Sequence, residues 1–158
     1  MAQWLSHSNQ KLYQARLLLE AFESAEQESA AAMLSALQES VLFQLVLAYQ
    51  SYLHELAEIA QYREEFFSLS QLLEKVSVAT GEMTELKQLE SDNFSWLSKL
   101  QFAFQQCSEK DILASAKPQI NPQMISLQDT TSHTLPLRDW YQALTAIIEL
   151  QRNNRQES

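Results

Sequence analysis

Apolar side chains recur along most of this chain at steps of three and four residues, the spacing that gathers them on one side of an α-helix. Over residues 4–22, Leu5, Leu12, Ala15, Leu19 and Phe22 fall on one face, widened by Trp4 and Leu18. The polar stretch ESAEQES follows. From about residue 28 to residue 62 the rhythm continues through Leu34, Leu37, Val41, Leu45, Ala48, Tyr52, Leu56 and Ile59. A neighbouring row, Leu42, Val46, Tyr49, Leu53 and Ala60, doubles its width. So wide an apolar arc predicts a long second helix near the centre of a bundle. A bilayer span requires about 20 residues with few polar interruptions. Here Gln44, Gln50, Ser51, His54, Glu55 and Glu58 intervene, and the pattern assigns them to the opposite face. A carboxylate at mid-bilayer costs roughly 2.5–3.5 kcal/mol on insertion scales, so no transmembrane segment is expected.

Ser68 with Gln71 three residues later has the spacing of a capping box, and Leu69, Leu72, Leu73 and Val76 supply the face of the helix it opens. Gly81, the sole glycine, is expected to end that helix in a left-handed conformation. A helix or helix pair is predicted over residues 82–107. Its first part carries Met83, Leu86 and Leu89. Ser91 or Asp92 is the expected cap of a second part bearing Phe94, Leu97, Leu100, Phe104 and Cys107.

Periodicity fails over residues 108–137, which hold all the prolines: Pro118, Pro122 and Pro136. Ile112, Leu113, Ile120, Met124, Ile125 and Leu127 are apolar enough to predict an extended segment laid across the bundle. Pro136 suits the first turn of a last helix with rows Leu137, Tyr141, Leu144, Ile148 and Trp140, Ala143, Ile147. Residues 153–158 are expected to fray. The expected fold is therefore one all-α domain over 1–158, an antiparallel bundle of about five helices with a long central second helix.

Composition supports this. One Gly and three Pro in 158 residues leave almost none of the turn chemistry a sheet protein requires. The formal net charge of −9, with no Lys/Arg cluster, argues against nucleic acid and against an anionic membrane surface. Cys107 is alone, so no intramolecular disulfide can form, and the N-terminal residues lack a signal-peptide layout. A cytoplasmic location is expected.

The sharpest chemical pattern is HELAE. His54 and Glu58 lie four residues apart on one helical face, with Glu55 beside them. The zinc-protease pattern H-E-x-x-H has a second His where this chain has Glu58. A helical hydrogen bond on a hydrated face is the preferred reading, and a metal-dependent enzyme or small-ligand binder at His54, Glu55 and Glu58 is the alternative. Cys107 sits on an apolar stripe near a helix C-terminus, where a thiolate is disfavoured. One glycine rules out glycine-rich phosphate loops. No cofactor is expected. Trp4, Trp96 and Trp140 each adjoin a core row, and packing is their expected role.

Some apolar residues fall off the main stripes. Phe43 and Leu47 lie within the polar arc of the long helix, beside Gln50 and His54; Tyr13 and Leu17 on the first helix and Phe102 on the fourth also point away. They require cover from the extended segment, another helix or a second copy of the chain, with cover from within the chain preferred for Phe43 and Leu47. These five residues are the candidate surface of a non-enzymatic interaction or adaptor protein that binds a protein partner or itself.

Three stretches, SNQKLYQARLLLE, the Ala/Leu/Gln-rich second helix and LPLRDWYQALTAIIELQR, occur in an order that resembles a family of small all-helical gammaproteobacterial proteins known as a domain of unknown function. The resemblance spans most of the chain and rests on packing patterns. It implies a cytoplasmic bacterial protein with a helical fold, and no activity that can be assigned to any residue.

Overall fold

The computed structural model describes residues 3–27, 30–116 and 135–157, with residues 108–116 described by backbone alone. Among these residues the regular structure is helical. The elements are α1 (Gln3–Ala25), α2 (Ala31–Ile59), α3 (Leu69–Lys75), α4 (Gly81–Ser91), α5 (Trp96–Ala116) and α6 (Leu137–Glu157). The four long ones, α1, α2, α5 and α6, make an up-down-up-down bundle. Its order follows from cross-helix contacts. Trp4 and His7 of α1 meet His54 and Ser51 of α2, so the two run antiparallel. Arg138 reaches Glu23 while Arg152 reaches Asn9, so α6 runs antiparallel to α1 and parallel to α2. On the other flank of α2, Phe43 meets Phe104 of α5.

By length and composition α2 is apolar enough to cross a membrane. In this fold it is the central helix of the bundle. Val41, Leu42, Leu45, Ala48 and Tyr52 have no exposed surface, and Tyr49, Leu53, Leu56 and Ala57 have almost none. Residues 31–40, by contrast, are exposed or half-exposed. Each fully buried Leu contributes about 1.5–3 kcal/mol relative to exposure. Leu12, Ala15 and Leu19 of α1, Leu97 and Leu100 of α5, and Leu137, Trp140, Leu144 and Ile148 of α6 close around this helix. Of the residues expected on the core rows, Leu5 at 39% exposure, Ile59 at 49% and Phe94 at 86% are exposed, and Leu34 and Leu37 at the start of α2 are only half-buried. Phe94 precedes α5 rather than lying on it, which removes it from that helix's stripe.

The helix ends correct several expectations. α2 stops where Gln61 takes a left-handed φ of 62°. Tyr62 N–H then donates to Ala57 O at 2.9 Å and Gln61 N–H to Glu58 O at 3.0 Å, a Schellman pair. Ser68 caps α3 as expected, its Oγ accepting from Gln71 N–H at 3.2 Å, but the Gln71 amide oxygen accepts from Phe67 N–H, one residue before the cap. Gly81 does not end α3. It is the first residue of α4, without a positive φ, behind Thr80, whose Oγ1 accepts from Met83 N–H at 3.2 Å. Neither Ser91 nor Asp92 caps α5. Ser95 does, accepting from Ser98 N–H at 3.1 Å and donating to Leu89 O, while Asp92 ends α4. α5 continues nine residues past Cys107 to Ala116, so the expected extended segment cannot begin at 108. Its remainder over 117–134, with Pro118, Pro122 and His133, lies outside the described residues. Pro136 directly precedes α6 and accepts from Trp140 N–H at 3.0 Å. Instead of ending at the expected frayed stretch from 153, α6 runs to Glu157, with Arg155 paired to Glu55 and Glu82 at the bundle's end; Ser158 lies outside the described residues.

Candidate functional site

Two features stand outside the apolar core: an ionic cluster at one end of the bundle and a set of exposed apolar residues on the helices' outer faces.

The cluster is centred on Glu55, only 6% exposed. Position 55 faces α1 and α6 rather than the polar side of α2 to which the pattern assigned it, and Ser51, one turn earlier, is equally buried. Arg152 grips the Glu55 carboxylate with two prongs, Nε to Oε2 at 3.0 Å and Nη2 to Oε1 at 2.7 Å, and its Nη1 donates to Asn9 Oδ1 at 2.8 Å. Arg155 Nη2 donates to Glu55 Oε2 at 3.1 Å, and Nη1 to Glu82 Oε2 at 2.7 Å and to Tyr52 Oη at 3.2 Å. The i, i+3 spacing of Arg152 and Arg155 on α6 brings both guanidiniums to one carboxylate. Tyr52 donates to Gln151 Oε1 at 2.6 Å, and Gln151 Nε2 donates to Glu85 Oε1 at 2.8 Å. One polar network thus ties α1, α2, α4 and α6. Burial pushes the Tyr52 phenol up to about 12, the Arg155 hydrogen bond offsetting part of the rise.

Two open clefts flank the network. One of about 380 Å³ is lined by Leu5, Glu55, Glu58, Ile59, Arg152, Arg155 and Gln156. The other, of about 270 Å³, lies beside Gly81, Glu82, Glu85, Gln151, Asn154 and Arg155. The three residues of the HELAE pattern do not converge. His54 stacks between Trp4 and Phe66, with ring centroids at 4.3 Å on either side, and its Nδ1 donates to Gln50 O at 2.9 Å. Glu55 turns to the arginines and Glu58 borders the larger cleft. Among the described residues no group of three or more His, Cys, Asp or Glu side chains is placed to hold a metal. Cys107 is half-buried against the core. Trp140 is buried, Trp96 packs half-buried against the core, and Trp4 is half-buried against the rings of His7 and His54.

The apolar residues singled out by the pattern are exposed: Phe102 at 61%, Phe43 at 48%, Tyr13 and Leu17 at 46%. Leu47 is half-buried. They do not form one patch. Phe43 lies tilted against Phe104 with centroids 6.2 Å apart, and Tyr13 lies under its own helix's Arg16 at 5.1 Å. Phe67 at 73%, Val78 at 76% and Phe94 at 86% are still more exposed. They sit in the connections around α3 and α4, off every helical stripe, Phe94 included although the pattern placed it on the α5 row.

Comparison with curated proteins and comparison with solved structures each gave no match. A family model does match, over residues 1–158, in keeping with a helical chain whose recurring features are packing rows: the protein belongs to DUF6586, a family of unknown function.

Proposed function

We propose that this is a non-enzymatic helical interaction protein, working in the cytoplasm, that binds a protein partner or itself through apolar side chains on the outer faces of its helices. One observation carries the reading. Phe43 holds 48% of its surface outside a helix whose neighbouring Val41, Leu42 and Leu45 have none exposed. Phe43 adjoins the half-buried Leu47 one turn on and lies against Phe104, and contiguous rather than isolated apolar surface is what marks a contact face. The ionic cluster supports the same reading from the other side. Its guanidiniums and the Glu55 carboxylate are engaged with one another, which suits a structural clamp. The alternative of a metal or small-ligand site at His54, Glu55 and Glu58 retains the cleft beside Glu55 and Glu58, but His54 is stacked away from it.

The test is the double change Phe43→Glu with Leu47→Glu. Circular dichroism is expected to show helix content near that of the parent chain, and capture of the partner from native cells, or self-association, is expected to weaken. Unfolding of the double variant would make these residues core and remove the site.

A further inference from the structure

The larger cleft at the end of the bundle, of about 380 Å³, has the size of a small-ligand site, for which the range is roughly 300–1,000 Å³. Its charges do not balance. Arg152 and Arg155 are shared between Glu55 and Glu82, so both guanidiniums already face carboxylates. Glu58, three residues on from Glu55 along α2, lines the same cleft and is half-buried. Among the described residues its carboxylate has neither an ion-pair nor a hydrogen-bond partner. Drawing a carboxylate out of water costs free energy that a counter-charge offsets. The cation is what this end of the bundle lacks.

Two further features narrow the chemistry. Leu5 of α1, 39% exposed, and Ile59 of α2, 49% exposed, line the cleft together, an uncovered continuation of rows that are buried elsewhere. A guanidinium also carries five N–H donors. Arg152 uses three of them on Glu55 and Asn9, which leaves two without a partner among the described residues. A simple anion in the cleft faces Glu55 and Glu58. A bare metal ion finds one free carboxylate, fewer oxygen ligands than such ions take, and leaves Leu5 and Ile59 in water. An ammonium for Glu58, an acceptor oxygen for Arg152 and an apolar group for Leu5 and Ile59 match every part of the lining.

We propose that this cleft binds a primary ammonium group joined to an apolar side chain and a neighbouring carbonyl oxygen, the chemistry shared by an apolar amino acid and by a peptide N-terminus that begins with one. The site is separate from the Phe43 and Leu47 surface, and neither requires the other.

Amide NMR titration of the intact chain with L-leucinamide tests this, at about pH 7, where an α-ammonium is largely protonated. The expected result is saturable shifts centred on Leu5, Glu58, Ile59 and Arg152, with a dissociation constant of about 1 mM or below. N-acetyl-L-leucinamide lacks the cation and glycinamide lacks the side chain, and each is expected to bind about ten-fold more weakly or worse. Glu58→Gln is expected to weaken leucinamide binding by a similar factor while the thermal midpoint stays near that of the parent chain. Glu149→Gln, exposed on α6 and outside the cleft, is expected to change nothing. L-leucyl-glycinamide separates the two sources: binding at least as tight as leucinamide assigns the cleft to peptide N-termini, and its exclusion assigns it to the free amino acid. The absence of saturable shifts up to about 20 mM leucinamide, equal binding of the acetylated amide, or binding indifferent to Glu58→Gln would overturn the proposal. Capture of a partner that still depends on Phe43 and Leu47 would, in any of those cases, leave the interaction reading standing.

Discussion

At the scale of single residues, Glu55 shows what side-chain type alone does not reveal. Helical rhythm marks positions 51 and 55 of α2 as interruptions of an apolar row, and the bland assignment is a hydrated face. Both are buried, because α1 and α6 supply partners from far along the chain: His7 shares a hydrogen bond with Ser51 at 2.7 Å, and Arg152 and Arg155 hold Glu55. The basic pair near the C-terminus is visible in the sequence, but its meeting with position 55 depends on tertiary direction. By contrast, the off-stripe positions Phe43, Tyr13, Leu17 and Phe102 are legible from the helical wheel alone, since exposure on a straight helix follows from its own period. Removing the carboxylate distinguishes clamp from decoration. Glu55→Ala takes the carboxylate from two guanidiniums that are only 18% and 21% exposed, leaving Arg152 with no carboxylate partner and only the Asn9 amide oxygen. It is expected to lower unfolding free energy by about 2–4 kcal/mol, less than full burial would give because Arg155 keeps Glu82. Glu58→Ala, at the cleft's rim, is expected to stay within about 0.5 kcal/mol. Urea denaturation of the two variants with unchanged m-values reads the difference directly.

At the scale of elements, the existence of the long helices follows from periodicity, and their ends do not. The sole glycine invites assignment to a left-handed stop, yet the residue with positive φ is Gln61 and Gly81 opens α4. The physical reason is that α2 ends by hydrogen-bond geometry that Gln61 tolerates at a cost, while Thr80 supplies a cap that glycine does not influence. Exchanging the two requirements gives a paired expectation. A Cβ at Gly81 meets nothing within 4 Å, so Gly81→Ala is expected to stabilise by about 0.4–1 kcal/mol through the unfolded chain. Gln61→Gly relieves left-handed strain and is expected to stabilise by up to about 1 kcal/mol. Thermal midpoints of the single and double variants check both signs, and additivity follows if the sites are independent. A fall in midpoint for Gly81→Ala would restore the glycine to a conformational role.

At the scale of the whole molecule, two tyrosines of α2 join the layers. Tyr49 donates to Glu90 of α4 and Tyr52 to Gln151 of α6, both from almost fully buried positions. Burial, reinforced by the Glu90 carboxylate, holds the Tyr49 phenol well above its usual value, and burial holds Tyr52 at about 12. A folded-state pKa above the unfolded value of about 10 means that the native state keeps protons the unfolded chain gives up. The associated stability is therefore complete below about pH 10 and is lost as pH rises toward 12. For Tyr52 a difference of two pH units corresponds to roughly 2–3 kcal/mol. The expected outcome is cooperative alkaline melting, in which phenolate absorbance from the buried tyrosines and loss of helical circular dichroism rise together between about pH 10 and pH 12. Tyr52→Phe removes one of the two titrations, so its urea midpoint is expected to fall less steeply over that interval even though the loss of the Gln151 bond lowers it at neutral pH. High salt separates this effect from repulsion among the acidic side chains, because screening relieves repulsion and leaves a buried phenol's titration in place. Ionisation of both phenols with the helices intact would show that α2 admits water at its centre, and the bundle's layers would then have to be held by the Glu55 clamp and the leucine core alone.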